Sequence, residues 1–250
     1  MNTFLIIDGM NLTRRLHATM GAPVDGAQLQ QRLEQACDKL KRLHQPSHLV
    51  IVWDGDNLSW RKQLYPDYKK GRKPMPEDLA AVLPRLKQAL TELGWHGLQA
   101  DSEADDVIAT LAAKLVAHQG QAMIVSTDKG FAQLQHSNIH QWDYFAKAPF
   151  DHAALQTKLG VDLSQLLDFF ALAGDSGNKI PGIAGIGGKT AAGLLNQYHD
   201  LANLYQHLDQ LNDKLAAKLG AGKDMARLSY KLAKLNQELP LQVSLRQYRC

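Results

Sequence analysis

The sequence has little cysteine and no long apolar run. Its 250 residues include two cysteines, Cys37 and Cys250, which lie far apart and outside any ligand motif. This excludes a disulfide framework and a cysteine zinc site. No run of apolar residues is long enough to span a bilayer, and Met1-Asn2 leads directly into strand-like sequence instead of a signal peptide. We therefore expect a cytoplasmic protein with no membrane association.

The histidines and the overall charge are also uninformative. Among the ten histidines, His44 and His48 are separated by a proline, and His136 and His140 have no acids or cysteines beside them. These spacings disfavour a histidine metal site. The net charge of +3 is mild and does not by itself indicate a nucleic-acid partner. The distribution of charge along the chain is more informative than the total.

The first 150 residues alternate between apolar, β-branched runs and segments of helical periodicity. The predicted strands are Thr3–Ile7, His48–Trp53, Ala122–Thr127 and a weaker one near Ile139–Trp142. Helices are predicted over 27–43 and 77–93, and from Glu103 until Gly120 ends the pattern. Such alternation predicts an α/β fold with a mostly parallel central sheet flanked by helices.

Glu103-Ala104-Asp105-Asp106 places three carboxylates in the first turn of a predicted helix. Like charges this close repel each other, so either water screens them or cations bind between them. Hard divalent cations such as Mg²⁺ prefer oxygen ligands. A structural alternative stays open, because Ser102 and Asp105 have the spacing of a helix capping box.

Asp8, Asp54 and Asp128 each follow a separate predicted strand. The carboxyl ends of parallel strands form one edge of a sheet, where ligands bind. A single aspartate is usually a turn former or cap, but three at equivalent ends beside the acidic triplet indicate a Mg²⁺ site. Transferases that phosphorylate an aspartate need Asp-x-Asp after the first strand, and Asp8-Gly9-Met10 does not provide it.

A basic segment, residues 58–78, separates the second strand from the next helix. Its central fourteen residues, 61–74, carry six basic side chains and one acid, with two tyrosines between them. Cations neutralise phosphates and tyrosines stack on unpaired bases, so the segment predicts contact with single-stranded nucleic acid. A solvated surface loop is the alternative.

From Asp151 onward the strand-like runs disappear, and residues 151–250 are predicted to form a series of helices. A glycine-rich turn separates two of them within 165–196. It is not a nucleotide-binding loop, because Ile183 stands where glycine is needed and a helix precedes it, so we predict no nucleotide cofactor. Amides at the second helix's N-terminus suit DNA phosphates; these positions are Gly185, Ile186, Gly187, Gly188, Lys189 and Thr190.

The same turn suits a monovalent cation, because carbonyls at a helix C-terminus are partly negative. The candidate carbonyls belong to Leu172, Ala173, Pro181, Ile183 and Ile186. A purely structural helical hairpin remains the alternative.

In order along the chain, these motifs resemble the 5′-3′ exonuclease and flap endonuclease family, over nearly all 250 residues. They are Ile7-Asp8-Gly9, Trp53-Asp54, Tyr68-Lys69-x-x-Arg72-x-Pro74, Glu103-Ala104-Asp105-Asp106, Ser126-Thr127-Asp128-Lys129, Gly174-Asp175-Ser176 and Ile180-Pro181-Gly182 followed by Gly185-Ile186-Gly187-x-Lys189-Thr190. The length is similar to that of the free-standing branch without polymerase modules.

The resemblance implies a PIN-like Mg²⁺-binding nuclease core over 1–150, with the basic segment 58–78 as an arch. It also implies a helical DNA-binding region over 151–250, with a helix-hairpin-helix at 165–196. The first Mg²⁺ would be held, directly or through water, by Asp8, Asp54, Glu103, Asp105 and Asp106. Asp128 and Asp175 would contribute to a second. The family pattern has further aspartates where this chain has Gly130 and Asn178. A weak or water-mediated second site is therefore expected.

The resemblance further implies cleavage of 5′ flaps on branched DNA by metal-activated water during replication or repair, in the bacterial cytosol or nucleoid. Lys69 and Arg72 would stabilise the phosphate, Tyr68 would stack on a base, and K⁺ would occupy the hairpin. A monomer is expected. A competing function is a branched-DNA binding protein whose catalysis has weakened with the second metal site. An RNA-cleaving nuclease of related topology is a third possibility.

Overall fold

The computed structural model describes residues 3–21 and 24–250, so the expectation for Met1 and Asn2 lies outside the described residues. The chain forms two compact units. The sheet unit comprises residues up to Asn57 together with Lys73–Phe150 and Leu235–Cys250. The helical unit comprises Leu58–Arg72 and Asp151–Lys234. Both units thus include a segment from outside the predicted ranges 1–150 and 151–250.

The sheet has six strands in the order β3-β2-β1-β4-β5-β6. They are β1 (Thr3–Asp8), β2 (His48–Trp53), β3 (Gly97–Gln99), β4 (Gln121–Val125), β5 (Ile139–Asp143) and β6 (Ala148–Pro149). All neighbours pair in parallel except β5 and β6. The prediction of a mostly parallel sheet is confirmed, and the strand order changes direction between β1 and β4, where ligand sites form in such sheets.

The helices, in chain order, are α1 (Gly9–Ala18), α2 (Gly26–His44), α3 (Trp60–Leu64), α4 (Glu77–Glu92), α5 (Ala104–Ala117), α6 (His152–Leu159), α7 (Leu166–Ala173), α8 (Gly188–Tyr198), α9 (Leu201–Gln206), α10 (Asp213–Ala221) and α11 (Lys223–Ala233). Of these, α1, α2, α4 and α5 belong to the sheet unit. Within the described ranges 3–21 and 24–250, no helix combines the length and apolar character needed to cross a bilayer.

The two faces of the sheet bury different helices, because alternate residues of each strand point to opposite sides. Leu5, Ile7 and Ile51 pack with α1, α2 and α4 on one face, whereas Ile6 and Val50 pack with α5 on the other. Both faces are therefore apolar, as expected for central parallel strands. This packing fixes the carboxyl ends of β1, β2 and β4 at one edge.

The C-terminal segment Leu235–Cys250 packs on the α5 face of the sheet. Tyr248 is buried there, and the Cys250 amide donates to the Ser47 carbonyl at 3.0 Å. The hydroxyl of Thr110 donates to the Asn236 carbonyl at 3.0 Å and accepts from the Leu239 amide at 3.2 Å. Side chains of α5 thus satisfy backbone groups of a segment that has little regular structure of its own.

Candidate functional site

Asp8 ends β1 and caps α1, the helix that follows. Its Oδ1 accepts from the Asn11 amide at 2.9 Å, and its Oδ2 accepts from the Ser126 hydroxyl at 2.9 Å. The side chain is 6% exposed. Burial, the largest cause, and the negative charges of Asp54 and Asp128 together raise the pKa of Asp8 to about 7, although the hydrogen bonds from Asn11 and Ser126 oppose the shift. The ends of three strands therefore bring like charges together.

Asp54 follows β2 and connects this edge to the acidic triplet. Its Oδ1 accepts from the Ala104 amide at 2.8 Å, so it caps α5 from outside the helix. The N-cap residue itself is Glu103, whose side chain makes no capping hydrogen bond. The helix is thus capped by Asp54, and not by the Ser102–Asp105 capping box that was the structural alternative. The exposed carboxylate of Asp54 therefore lies next to the first turn of α5, which carries Asp105 and Asp106.

The two aspartates of α5 have different surroundings. Asp105 is half-buried, whereas Asp106 is 3% exposed. The Oδ1 atom of Asp106 accepts from the Asn236 amide at 2.8 Å. One oxygen of Asp106 therefore holds the C-terminal segment in place, which gives this side chain a structural role beside the metal role predicted for it.

Asp128 follows β4 and is joined to Asp8 through Ser126. The Ser126 hydroxyl accepts from the Asp128 amide at 3.1 Å while it donates to Asp8. The side chain of Asp128 accepts from the Gly130 amide at 2.7 Å. Gly130 thus supplies an N–H to Asp128 and has no side chain that could ligate a metal.

Four polar side chains around these aspartates had no role predicted from the sequence. Ser126 is 2% exposed, and Gln141 donates to the Ser126 and Asp128 carbonyls at 2.9 and 2.8 Å. The side chain of Asn11 bonds with the Thr127 hydroxyl and amide. Only Ser126 and Thr127 carried a sequence signal, because they stand beside Asp128 in a strand-end motif.

The donor set at this edge fits a hard divalent cation, because it consists of carboxylate oxygens, and the charges of Asp54 and Asp128 help to raise the pKa of Asp8. Among residues 3–21 and 24–250, no group of three or more histidine, cysteine or acidic side chains has the arrangement of a metal site. Asp8, Asp54 and Asp128 each accept a hydrogen bond from a backbone amide. Binding an ion would require these side chains to adjust.

Asp175 lies in the helical unit and follows α7. It is 6% exposed, and its Oδ2 accepts from Nδ2 of Asn178 at 2.9 Å. Oδ1 of Asn178 accepts from Nη2 of Arg72 at 2.7 Å, and the Asn178 carbonyl accepts from the Lys69 amide at 2.8 Å. Asn178 therefore links a predicted metal ligand to both cationic residues that were predicted to contact the phosphate.

The basic segment is more ordered than a solvated loop. The guanidinium of Arg61, a residue only 2% exposed, donates to the Leu232 and Lys234 carbonyls at 2.9 and 2.7 Å. Tyr68 is 5% exposed and packs with Ile180 and Leu232. Arg61 is thus a structural cation, and Tyr68 would have to leave this core before it could stack on a base.

The turn between α7 and α8 depends on two glycines. Gly174 and Gly182 have φ values of +74° and +63°. A Cβ on Gly182 would lie 2.7 Å from the Leu172 carbonyl oxygen, and one on Gly174 would lie 2.4 Å from the Ile180 carbonyl oxygen. Side chains at these positions would force the turn away from the end of α7.

The carbonyls and amides of this turn differ in availability. The Leu172 carbonyl accepts from the Ile183 amide at 2.8 Å, and the Ile183 carbonyl accepts from the Ile186 amide at 3.0 Å. Gly187 is the N-cap of α8 and has no side chain to cap its amides. Gly185, Gly187, Gly188, Lys189 and Thr190 are exposed, whereas Ile186 is buried. The N-terminus of α8 is thus accessible to an anion.

The whole chain matches a known family. Residues 3–160 match the family described as "5′-3′ exonuclease, N-terminal resolvase-like domain", and residues 161–250 match "5′-3′ exonuclease, C-terminal SAM fold". The chain is 59% identical to the flap endonuclease Xni of Shewanella sp. strain W3-18-1, covering 100% of this chain and 95% of that protein. It is 58% identical to the flap endonuclease Xni of Shewanella woodyi, covering 100% and 99%.

Solved structures share the fold. One is bacteriophage T5 5′-exonuclease with bound zinc, with a TM-score of 0.76 at 21% identity over 94% of this chain and 90% of that one. Another is a T5 flap endonuclease variant in a complex with DNA and metal ions, with a TM-score of 0.73 at 19% identity over the same shares. At these identities the likeness shows the fold, which confirms the α/β prediction. From both family matches and the full-length relatives, we conclude that this chain belongs to the 5′-3′ exonuclease family.

Proposed function

We propose that the protein is a Mg²⁺-dependent, structure-selective nuclease that hydrolyses phosphodiester bonds at 5′ flaps of branched DNA. The observation that carries this proposal is the buried Asp8 carboxylate, whose pKa is raised in part by the charges of Asp54 and Asp128. Burying one carboxylate near two others destabilises the apo protein, and a bound cation would offset that cost. Full-length relatives named flap endonuclease Xni support the same reading.

In this proposal the sheet unit holds the metal. Asp8, Asp54 and Asp105 would supply oxygen ligands, with Glu103 and Asp106 binding directly or through water and Asp128 serving a second ion. Asp106 would ligate through its other oxygen, since Oδ1 accepts from Asn236. When bound, Mg²⁺ lowers the pKa of water and offsets negative charge at a scissile phosphate. Asp175, in the helical unit, is likewise proposed as a metal ligand.

The helical unit would hold DNA without reading its sequence. Exposed amides at the N-terminus of α8, with Lys189 and Thr190, would bind phosphates. A K⁺ ion would be held by carbonyls of the α7–α8 turn, where Ala173 and Pro181 join Leu172, Ile183 and Ile186. Lys69 and Arg72 would stabilise the negative charge of a phosphate with their own positive charges. We further propose that the protein is a monomer that acts in DNA replication or repair in the cytosol.

A second candidate is a protein that binds branched DNA but cuts it weakly. It is favoured by Asn178, whose amide is already engaged by Arg72 and Asp175 and brings no charge for a second metal. Gly130 likewise contributes only its backbone. If catalysis needs two well-held ions, these two positions would limit it.

The two candidates are separated by a 5′-labelled flap DNA, its RNA-flap counterpart and a blunt duplex, each incubated with Mg²⁺. We expect the wild-type protein to release a labelled flap product and Asp105→Ala to release at least 100-fold less. The matched control is Asp209→Asn, an exposed acid of the helical unit, which should cut normally. Binding is measured in parallel by anisotropy with Ca²⁺ in place of Mg²⁺.

Each outcome decides between the candidates. If wild type and Asp105→Ala both cut negligibly but still bind the flap DNA, the protein is the second candidate, one that binds branched DNA without cutting it. Faster cutting of the RNA flap would instead favour an RNA nuclease. Cutting that persists at full rate in Asp105→Ala would overturn the metal site at this edge.

A further inference from the structure

The helical unit contains a groove that has no part in the proposed function. It lies between α9 and α11 and has a volume of about 650 Å³. Leu201 and Tyr205 of α9 line one side, and Lys223, Arg227, Tyr230 and Lys231 of α11 line the other. The groove is therefore bounded by apolar, aromatic and cationic side chains.

The cations of the groove form a regular row. Lys223, Arg227 and Lys231 are spaced four residues apart on α11, so they share one face and advance by about 6 Å each. All three are exposed, and no acid is among the described residues that line the groove. The salt bridge from Arg227 to Asp224, at 3.2 Å, is largely exposed and therefore weak. The row thus suits a ligand with regularly repeated negative charges.

The other groups in the groove suit flat aromatic rings. Tyr205 is half-buried and held in place, because its hydroxyl donates to the Leu219 carbonyl at 3.1 Å. The Nζ of Lys223 lies 5.2 Å from the centre of that ring. Tyr230 is also half-buried. Aromatic rings beside a row of cations are the combination that binds unpaired nucleotides, with bases on the rings and phosphates on the cations.

Helix α11, which carries the cation row, packs against the turn proposed to bind phosphates. A Cβ on Gly222, the residue before Lys223, would lie 2.4 Å from Cγ2 of Ile183. The hydroxyl of Ser229, a buried residue of α11, accepts from the Gly182 amide at 2.9 Å. The α7–α8 turn is therefore fixed against α11, and the cation row begins where the two meet.

We propose that the groove between α9 and α11 binds an unpaired strand of the DNA substrate, with phosphates along Lys223, Arg227 and Lys231 and a base against Tyr205. This inference rests on the proposed function for the identity of the substrate. It adds a binding site for single-stranded DNA that does not include the α8 N-terminus or the acidic edge of the sheet.

The test measures binding without catalysis. Anisotropy of a labelled 12-nucleotide oligo-dT and of a blunt 12-base-pair duplex is followed in EDTA across a KCl series. We expect the triple variant K223A/R227A/K231A to bind oligo-dT at least tenfold more weakly than wild type at low salt. The slope of log affinity against log salt should fall by about 2, the value for three lost contacts to a single strand. Duplex affinity should change less than twofold.

Three single variants keep the result specific. Tyr205→Leu should weaken oligo-dT binding about tenfold, whereas Tyr205→Phe keeps the ring and loses only the hydrogen bond to Leu219, so it should bind more tightly than Tyr205→Leu. Lys214→Ala, an exposed cation of α10 outside the groove, is the charge control. Thermal unfolding confirms that each variant is folded.

Unchanged oligo-dT binding in the triple variant and in Tyr205→Leu would overturn the groove proposal. So would an equal loss for duplex and oligo-dT, because it would indicate a contact with the duplex backbone. A wild-type protein that binds oligo-dT through these residues but cuts no flap would refute the proposed function alone.

Discussion

Oδ1 of Asn178 accepts a 2.7 Å hydrogen bond from Nη2 of Arg72, while Nδ2 of Asn178 donates to Oδ2 of Asp175 at 2.9 Å. An amide can make both bonds because it has a donor end and an acceptor end. An aspartate at this position could still accept from Arg72 but would place a second carboxylate beside the buried Asp175. Asn178 therefore forms a neutral link between Asp175 and the basic segment.

The first prediction concerns Asn178→Asp. Without divalent ions the paired carboxylates should repel and destabilise the protein by about 2 kcal/mol. Millimolar Mg²⁺ should recover part of this loss, because the cation replaces the lost amide donor. The measurement is the melting temperature of the variant and of wild type with and without Mg²⁺.

Asn178→Ala is the matched control for that experiment. It removes both side-chain bonds but adds no charge, so Mg²⁺ should raise its melting temperature only as much as it raises that of wild type. If Mg²⁺ stabilises Asn178→Asp no more than Asn178→Ala, position 178 does not adjoin a site for a second ion.

A second prediction concerns Ser126, which bridges Asp8 and Asp128. Ser126→Ala should lower the free energy of unfolding by about 1–3 kcal/mol, because it leaves the Asp128 amide and one oxygen of the buried Asp8 without this partner. It should also weaken Mn²⁺ binding about tenfold, as loss of a group that orients a ligand does. Urea unfolding and calorimetric titration with Mn²⁺ check the two effects.

Ser137→Ala provides the comparison, since Ser137 is exposed and precedes β5, so it lies at the amino ends of the parallel strands and not at the acidic edge. Both measurements should match wild type. If Ser126→Ala binds Mn²⁺ as tightly as wild type does, then Asp8 either does not ligate the ion or does not depend on Ser126 for its orientation.

Much of the sheet could be predicted because strands β1, β2 and β4 are continuous apolar runs, as buried parallel strands require. Once these runs were recognised, the rule for strand ends placed Asp8, Asp54 and Asp128 at one edge. The strand Gly97–Gln99 was missed because three residues carry no periodicity. Helix α1 was missed because it begins at a glycine directly after a strand, where a turn is the usual expectation.

The roles of individual cations could not be predicted in the same way. Arg61 lies in a run of basic residues that indicates exposure, yet it is nearly the most buried polar side chain of its unit. Its partners are backbone carbonyls of Leu232 and Lys234, more than 170 residues away in sequence. Carbonyl groups leave no signature in a sequence, so neither this contact nor the return of residues 235–250 to the sheet had a signal.

Arg61 gives a third prediction. Arg61→Ala should reduce the free energy of unfolding by about 3 kcal/mol, because one buried and one partly buried carbonyl lose their donor and a cavity remains. Arg61→Lys should recover only part of this, since an ammonium cannot reproduce the planar fork that reaches both carbonyls. Urea unfolding measures both variants, and Lys62→Ala, an exposed neighbour, should be neutral. Equal stability of Arg61→Ala and Lys62→Ala would contradict the structural role.

Asp168, in α7, gives a prediction about pH. Burial and the nearby charge of Asp200 raise the pKa of Asp168 to about 6, although a hydrogen bond from the Leu201 amide opposes the shift. Because the unfolded chain ionises near 3.8 and the folded chain near 6, the folded state holds more protons between these values. The free energy of unfolding therefore has its full contribution from Asp168 below pH 4, and this contribution is lost as the pH rises to 6.

Asp168→Asn keeps an oxygen that can accept from the Leu201 amide but removes the desolvated charge. We expect it to stabilise the protein above pH 6 by about 1–2 kcal/mol, once the partial exposure of Asp168 is allowed for. Below pH 4 it should match wild type, because both side chains are then neutral. Urea unfolding at pH 4, 5, 6 and 7.5 gives the profile, with Asp209→Asn as the exposed control. A constant difference between Asp168→Asn and wild type across this range would contradict the raised pKa, since a change in packing alone does not depend on pH.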